Sequence, residues 1–197
     1  MNTIIAPEIH AQQWHNSDPL SIASLRGKVV AVHAFQMLCP GCISHGLPQA
    51  SAIHELYSSD QVQVIGLHSV FEHHSVMTPE ALKVFIHEYR LGFPIAIDQP
   101  AEHGPIPKTM AAYQLQGTPS LVLIDRAGRI RLNHTGRVND MQVGNAIGQL
   151  LKEASVPEEA SATSAAATSS SSVKSDNSER CDLSLIHISE PTRRRGI

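Results

Sequence analysis

A short apolar strand that leads almost directly into a pair of cysteines limits the possible folds of this chain more than any other feature. Residues 28–35 (KVVAVHAF) are rich in valine and follow Gly27, a pattern typical of a strand buried on both faces. The motif Cys39-Pro40-Gly41-Cys42 comes shortly afterwards, and a helix is predicted from Pro40 to about Tyr57. This order places the cysteine pair at the amino end of a helix and favours an α/β domain.

The remainder of residues 1–153 continues the alternation of strands and helices. Thr78 is a predicted N-cap, Pro79 the first residue of a second helix, and Gly92 the residue that closes it. The further strands are predicted at 62–69, 93–98, 120–125 and 129–134, and the further helices at 108–113 and 141–153. The resulting order, β-α-β-α-β-α-β-β-α, predicts an α/β sheet covered by helices, with a closing antiparallel hairpin.

Composition divides the chain into three regions. Residues 1–153 form the predicted domain. Residues 154–180 are rich in alanine and serine and nearly lack large apolar side chains, so we predict a disordered linker there. Residues 183–193 (LSLIHISEPTR) resemble the translation of an adapter used in transposon-based sequencing libraries. We therefore expect residues 181–197 to be a sequencing artefact and leave them out of the fold prediction.

Charge and hydropathy exclude several classes of partner. The formal net charge is −3 and the domain carries no basic stripe, so we expect no nucleic-acid partner. No run of about 18 apolar residues is present, so we expect no membrane span. Residues 1–10 lack the basic start and apolar stretch of a signal peptide, which predicts a cytoplasmic location where thiols stay largely reduced.

The cysteine motif predicts thiol–disulfide chemistry. The thiolate is the nucleophile in such exchange, and a helix amino terminus stabilises it through free N–H groups and the helix dipole. Cys39 would attack a substrate disulfide, and Cys42, three residues later on the same helical face, would resolve the mixed disulfide. The partners are then a protein or small-molecule disulfide and a thiol electron donor, and no cofactor or metal is needed.

Two other interpretations of the cysteine pair stay open from local spacing alone. The first is half of a zinc site, which needs further ligands; His45 and the distant Cys181 are the candidates. The second is a pair of inert buried thiols. Attachment of a c-type haem is excluded because Ile43 rather than histidine follows the motif.

Several motifs together resemble the thioredoxin superfamily, in particular its TlpA/ResA-like branch with kinship to the AhpC/TSA redoxins. The resemblance covers roughly residues 6–153. It rests on Leu25-Arg26-Gly27-Lys28-Val29-Val30, the active-site motif at 39–42, the helix proline Pro48, and Gly117-Thr118-Pro119-Ser120 followed by Leu123-Ile124-Asp125 and Gly128. It implies a thioredoxin-like fold, a central mixed sheet with helices on both faces, and a thiol-disulfide oxidoreductase.

The resemblance also implies roles for individual residues. Cys39, Cys42 and Pro119 are the implied catalytic residues, and Pro119 is implied to be cis and to face the cysteines. Pro40, Gly41 and Thr118 are the implied supporting residues, with the Thr118 backbone offered to a substrate peptide as an added strand.

The chain departs from the family pattern at two positions near the motif. His33 occupies the position six residues before Cys39, where thioredoxins often carry a buried acid, and we expect it to accept a proton or to be a hydrogen-bonded core histidine. Leu38 replaces the usual tryptophan before the first cysteine. The apolar anchor of secreted or membrane-anchored members is missing, which argues against their role in cytochrome maturation.

Two alternative functions are weighed against the oxidoreductase. A peroxiredoxin-like hydroperoxide reductase generally needs a hydroxyl residue three places and a proline seven places before its reactive cysteine, and these places hold Gln36 and Val32. A metal-binding module would use Cys39 and Cys42. The histidines at 68, 73, 74 and 103 complete no familiar ligand spacing, so we expect solvated loop histidines there.

Overall fold

A computed structural model describes residues 4–153 of the chain. The strands are β1 (Ala11–His15), β2 (Val29–Phe35), β3 (Val62–His68), β4 (Ile95–Asp98), β5 (Ser120–Ile124) and β6 (Ile130–Thr135). The helices are α1 (Leu47–Leu56), α2 (Pro79–Glu88), α3 (Lys108–Ala112) and α4 (Asp140–Lys152), and a π-helical turn, Cys42–Gly46, precedes α1. The predicted linker 154–180 and tail 181–197 lie outside the described residues.

The six strands form one mixed sheet in the order β1-β4-β3-β2-β5-β6. The central strand β2 pairs with β3 in parallel and with β5 in antiparallel register. All residues of β2 and β3 are buried because helices cover both faces of the sheet. Helices α1, α2 and α4 pack against one face, and α3 packs with the amino-terminal segment against the other. This arrangement confirms the predicted α/β, thioredoxin-like fold.

Two details of the predicted secondary structure are wrong. Strand β1 was not predicted; it pairs antiparallel with β4 at the edge of the sheet, and its residues are half-buried or exposed. Helix α2 has the predicted cap, since Thr78 Oγ1 accepts the Ala81 N–H at 3.2 Å. However, α2 ends at Glu88, and Arg90, not Gly92, adopts the left-handed conformation that follows, with φ 52°.

The active-site helix carries an irregularity that its sequence explains. Pro48 has no N–H to donate to the carbonyl of Ser44, so a regular α-helix cannot pass through this point. The chain instead forms the wider π-helical turn, in which the Leu47 N–H donates to the carbonyl of Cys42. Turns of this kind occur frequently at functional sites, and this one begins at the second cysteine of the motif.

The described helices are all too short or too polar to cross a lipid bilayer. The longest of them, α4, is amphipathic, with Val143, Ile147 and Leu150 buried against the sheet.

Candidate active site

The two cysteines of the motif lie together at the carboxyl end of β2. Their Sγ atoms are 2.50 Å apart and their Cα atoms 5.2 Å apart, so the pair is at disulfide distance. Cys42 is fully buried at 0% exposure, whereas Cys39 is only partly buried. A substrate can therefore reach the sulfur of Cys39 and not that of Cys42.

Backbone donors at the start of the helix point toward Cys39. The Cys42 N–H donates to Cys39 Sγ at 3.2 Å. The N–H groups of Cys42 and Ile43 also lie 3.1 Å from the Cys39 carbonyl oxygen. The hydrogen bond to the sulfur and the positive end of the helix dipole both favour a negative charge, so this environment favours the thiolate at Cys39 once the pair is reduced.

The Thr118-Pro119 segment faces the cysteines from the start of β5. The Thr118–Pro119 peptide bond is cis. Cys39 Sγ lies 3.4 Å from the Thr118 carbonyl oxygen, close enough for a reduced thiol to donate to it. Pro119 packs so closely on the helix that a Cβ at Gly41 or Gly46 would sit 3.1 Å from its ring. These two glycines allow the proline to approach the redox pair.

His33 lies in β2 on the same face of the sheet as the active-site helix. Its side chain is 2% exposed, and its Nε2 atom has no hydrogen-bond partner within residues 4–153. Burial lowers the pKa of His33 from 6.5 to about 4, so the imidazole is neutral at physiological pH. With Gly46 and Pro119 it lines a cavity of about 10 Å³.

Other candidate ligands from the sequence do not come together. Within the part of the chain that the structure describes, no group of three or more His, Cys, Asp or Glu side chains is arranged to hold a metal ion. His45 Nδ1 lies 2.5 Å from the hydroxyl of its neighbour Ser44. His68 is a buried core residue that packs on Phe35 with ring centroids 5.2 Å apart, so the prediction of a solvated loop histidine is wrong for it. Cys181 lies outside the described residues.

A groove beside the active site was not predicted. It has a volume of about 410 Å³ and lies between α1 and α4; we call it the α1–α4 groove. Its apolar wall is formed mainly by Pro48, Ile53, Leu56, Tyr57 and Val143, and Gly144 leaves part of the α4 side without a side chain. Arg137 lies at its polar end. The groove arises from the packing of two helices that are distant in sequence, so no local pattern indicated it.

Comparisons with known proteins agree with this geometry. The Redoxin family model matches residues 6–150. The crystal structure of a thiol-disulfide isomerase from Corynebacterium glutamicum is 57% identical, with a TM-score of 0.73, covering 76% of this chain and 98% of that one. A thioredoxin-like superfamily protein of known structure is 53% identical, with a TM-score of 0.76, covering 78% of this chain and 99% of that one.

A more distant relative is a thiol-disulfide oxidoreductase by name. The thiol-disulfide oxidoreductase ResA of Halalkalibacterium halodurans is 25% identical over 138 residues, which is 70% of each chain. The fold, the cysteine pair at disulfide distance and these relatives together define a thioredoxin-like thiol-disulfide oxidoreductase. More narrowly, the chain belongs to the Redoxin family. Its class implies disulfide-containing substrates and thiol redox partners.

Proposed function

We propose that the Cys39-Pro40-Gly41-Cys42 motif is a dithiol–disulfide pair that exchanges with disulfides of protein or small-molecule substrates. The observation that carries this proposal is the asymmetry of the pair. Cys39 is accessible and accepts the Cys42 N–H at 3.2 Å, whereas Cys42 is fully buried. An accessible, stabilised thiolate acts as the attacking group, and a buried partner acts only after the mixed disulfide has formed.

The reaction proceeds in two exchanges. The Cys39 thiolate attacks one sulfur of the substrate disulfide, that S–S bond breaks, and the other sulfur leaves as a thiolate that takes a proton from water. Cys42 then loses its proton and attacks Cys39 Sγ, which releases the second substrate sulfur as a thiolate. Two electrons pass to the substrate, the pair becomes a disulfide, and a thiol donor returns the electrons.

His33 is the group that we propose accepts the Cys42 proton. It is buried on the same face of the sheet, and Nε2 has no partner within residues 4–153. Its lowered pKa makes it a weak base while the thiol is neutral. A thiolate that forms at buried Cys42, on the same face of the sheet, favours the imidazolium, because opposite charges attract more strongly at low dielectric.

Thr118 and Pro119 are the residues that we propose hold the substrate backbone beside Cys39. The Thr118 carbonyl lies 3.4 Å from Cys39 Sγ, so a peptide bonded to that sulfur passes along this segment. Extended peptides commonly bind in this way, by adding a strand to exposed backbone groups. Pro40 and Gly41 support the arrangement, since Pro40 fits the first helical turn and Gly41 leaves room for the Pro119 ring.

A redox titration of the whole chain tests the proposal. The background variant Cys181→Ser leaves only the two thiols of the motif, and their oxidation is followed in a glutathione redox series with bound metal assayed on the same sample. We expect one reversible two-electron transition that is absent from Cys39→Ser. Unreactive thiols with stoichiometric metal would instead support the metal-binding module.

Substitution of the cysteines separates their roles. Cys39→Ser is expected to abolish disulfide reduction because the attacking sulfur is gone. Cys42→Ser is expected to accumulate a mixed disulfide between Cys39 and the substrate, detectable by mass. Full turnover of Cys42→Ser with a dithiol donor would refute the resolving role. Consumption of hydroperoxide faster than of disulfide by the parent protein would favour the peroxidase instead.

A further inference from the structure

The α1–α4 groove is continuous with the small cavity beside Pro119. The small cavity lined by Pro119 and His33 and the larger groove share His45, Gln49 and Arg137. A chain bonded to Cys39 can therefore leave the Pro119 segment, cross these three side chains and enter the groove. The helical path from Cys42 to Ile53 rises by about 16 Å, which about five extended residues can span.

The groove is mainly apolar along the two helices. The exposed Leu56 at the end of α1 and the half-buried Tyr57 that follows it face Val143 of α4 across the groove. Gly144 has no side chain, and a Cβ placed there would meet no atom within 4 Å. The space is thus large enough for an apolar side chain of a ligand, which would remove part of this surface from water.

The polar end of the groove carries an unpaired positive charge. Arg137 is exposed and forms no ion pair with any residue from 4 to 153. The nearby carboxylate of Asp140 is already engaged, since its Oδ1 accepts the Gln49 side-chain N–H at 2.6 Å. Asp140 also lies in the first turn of α4, where the helix dipole offsets its negative charge. Charge complementarity at this end therefore favours an acidic group on the ligand.

From this combination we infer that the α1–α4 groove binds a segment of the disulfide-bearing protein substrate, with an acidic side chain against Arg137 and an apolar side chain between α1 and α4. The inference rests on the proposed function. The acidic residue lies nearer to the substrate cysteine than the apolar residue, because Arg137 borders the Pro119 cavity and the apolar wall lies further along α1. Arg137 and Gly144 are thereby specificity-determining residues.

Short peptide dimers joined by one disulfide provide the test. The peptides carry Glu, Gln or Lys at the position nearer the cysteine. Each of these three is made with either Leu or Ser at the position farther from the cysteine. For the parent protein we expect kcat/KM to fall from Glu to Gln to Lys by about tenfold in total, and from Leu to Ser by a similar factor. Arg137→Glu is expected to reverse the charge order. An unchanged order in Arg137→Glu, or equal rates for all peptides, would overturn the inference.

Two glycine variants of α4 provide a matched pair. A Cβ at Gly144 or at Gly148 meets no atom within 4 Å, but only Gly144 lines the groove. Both changes to leucine favour the helix equally. We expect Gly144→Leu to raise KM for the Glu–Leu peptide about tenfold, and Gly148→Leu to leave all rates unchanged. Equal effects of the two variants would refute a role for the groove.

A small neutral disulfide separates this inference from the function on which it rests. Turnover of 2-hydroxyethyl disulfide, lost in Cys39→Ser, reports the redox pair alone. If it is turned over while the peptides show no charge or leucine preference, the oxidoreductase stands and the groove inference fails. If it is not turned over, the proposed function itself fails. The groove could instead hold a second copy of the chain, which light scattering of the parent and of Gly144→Leu would detect. A dimer that Gly144→Leu dissociates would assign the groove to that second copy and overturn the inference.

Discussion

The pH dependence of stability offers a quantitative test of the buried position of His33. Burial lowers the pKa of its imidazole from 6.5 to about 4, so the unfolded chain binds more protons than the folded one between these two values. The folded state therefore loses stability as the pH falls through this window, and the full loss is reached below the folded pKa. Between about pH 7 and about pH 5, the protonation of His33 on unfolding lowers the free energy of unfolding by about 2 kcal/mol.

The measurement is urea unfolding of the oxidised protein, in which the cysteine thiols do not titrate. The free energy of unfolding is compared at the two pH values for the parent and for His33→Gln, whose amide has no charge at either pH. The parent is expected to lose about 2 kcal/mol more than the variant between them. Contributions from other titrating groups cancel in this double difference as long as the variant keeps the same fold.

His68 provides the matched variant. Burial, with a smaller contribution from His15, lowers the pKa of His68 to about 4 as well. His68→Gln should therefore reduce the pH dependence by a similar amount. Only His33→Gln, however, should also slow the resolution of a mixed disulfide by Cys42, because only His33 lies beside Pro119 and Gly46. An identical pH dependence in parent and His33→Gln would refute the buried, neutral state of His33.

Two further predictions concern the frame that holds the site. Gly66→Ala in β3 should lower the free energy of unfolding by about 1–3 kcal/mol, because its Cβ would sit 2.9 Å from Phe93. Urea unfolding measures this change. Gly148→Ala is the unstrained control, and its free energy of unfolding is expected to rise by up to about 1 kcal/mol. Asp125→Asn should lower the free energy of unfolding by about 2 kcal/mol at pH values above 3.8, the usual pKa of the carboxyl group. The loss should become smaller as the pH falls further, and the rate of disulfide reduction should stay unchanged. Burial would raise the pKa of Asp125, but hydrogen bonds from Arg129 and Arg131 outweigh it and hold it below 3.8, so a loss independent of pH would contradict this reasoning.

The core of the fold could be predicted because its signals are local. Strands β2 and β3 are continuous apolar runs, as expected where helices cover both faces of a sheet. In the helix that begins with Pro79, the cap residue and the first helical residue are adjacent in the sequence. Strand β1 has no such signal, because its sequence AQQWH is mostly polar and it forms only by pairing with the distant β4. Edge strands depend on tertiary pairing more than on their own composition.

The candidate site could be predicted only in part, for a related reason. The cysteines and Pro119 stand in short motifs that the family resemblance identifies. The structure brings the two cysteines to disulfide distance, as that resemblance implies. Arg137 and Gly144 stand in no motif, and they line the groove only because α4 lies beside α1. His68 looked like a loop residue because it ends a strand, yet the sheet and Phe35 enclose it. The cytoplasmic location remains a prediction.

The proposed assignment of attacking and resolving cysteines rests on a balance of two physical effects. At Cys39 the Cys42 N–H and the helix amino terminus stabilise a thiolate by about 1–3 kcal/mol, and partial exposure keeps desolvation small. At Cys42, which has no exposed surface, desolvation disfavours the charged form and nothing outside the protein can take the proton. Attack by Cys42 therefore requires an internal acceptor. Of the two buried histidines His33 and His68, His33 is the one that lines the cavity beside Gly46 and Pro119. If the roles were exchanged, Cys39→Ser rather than Cys42→Ser would trap the substrate, and slowing of the second exchange by His33→Gln would have no explanation.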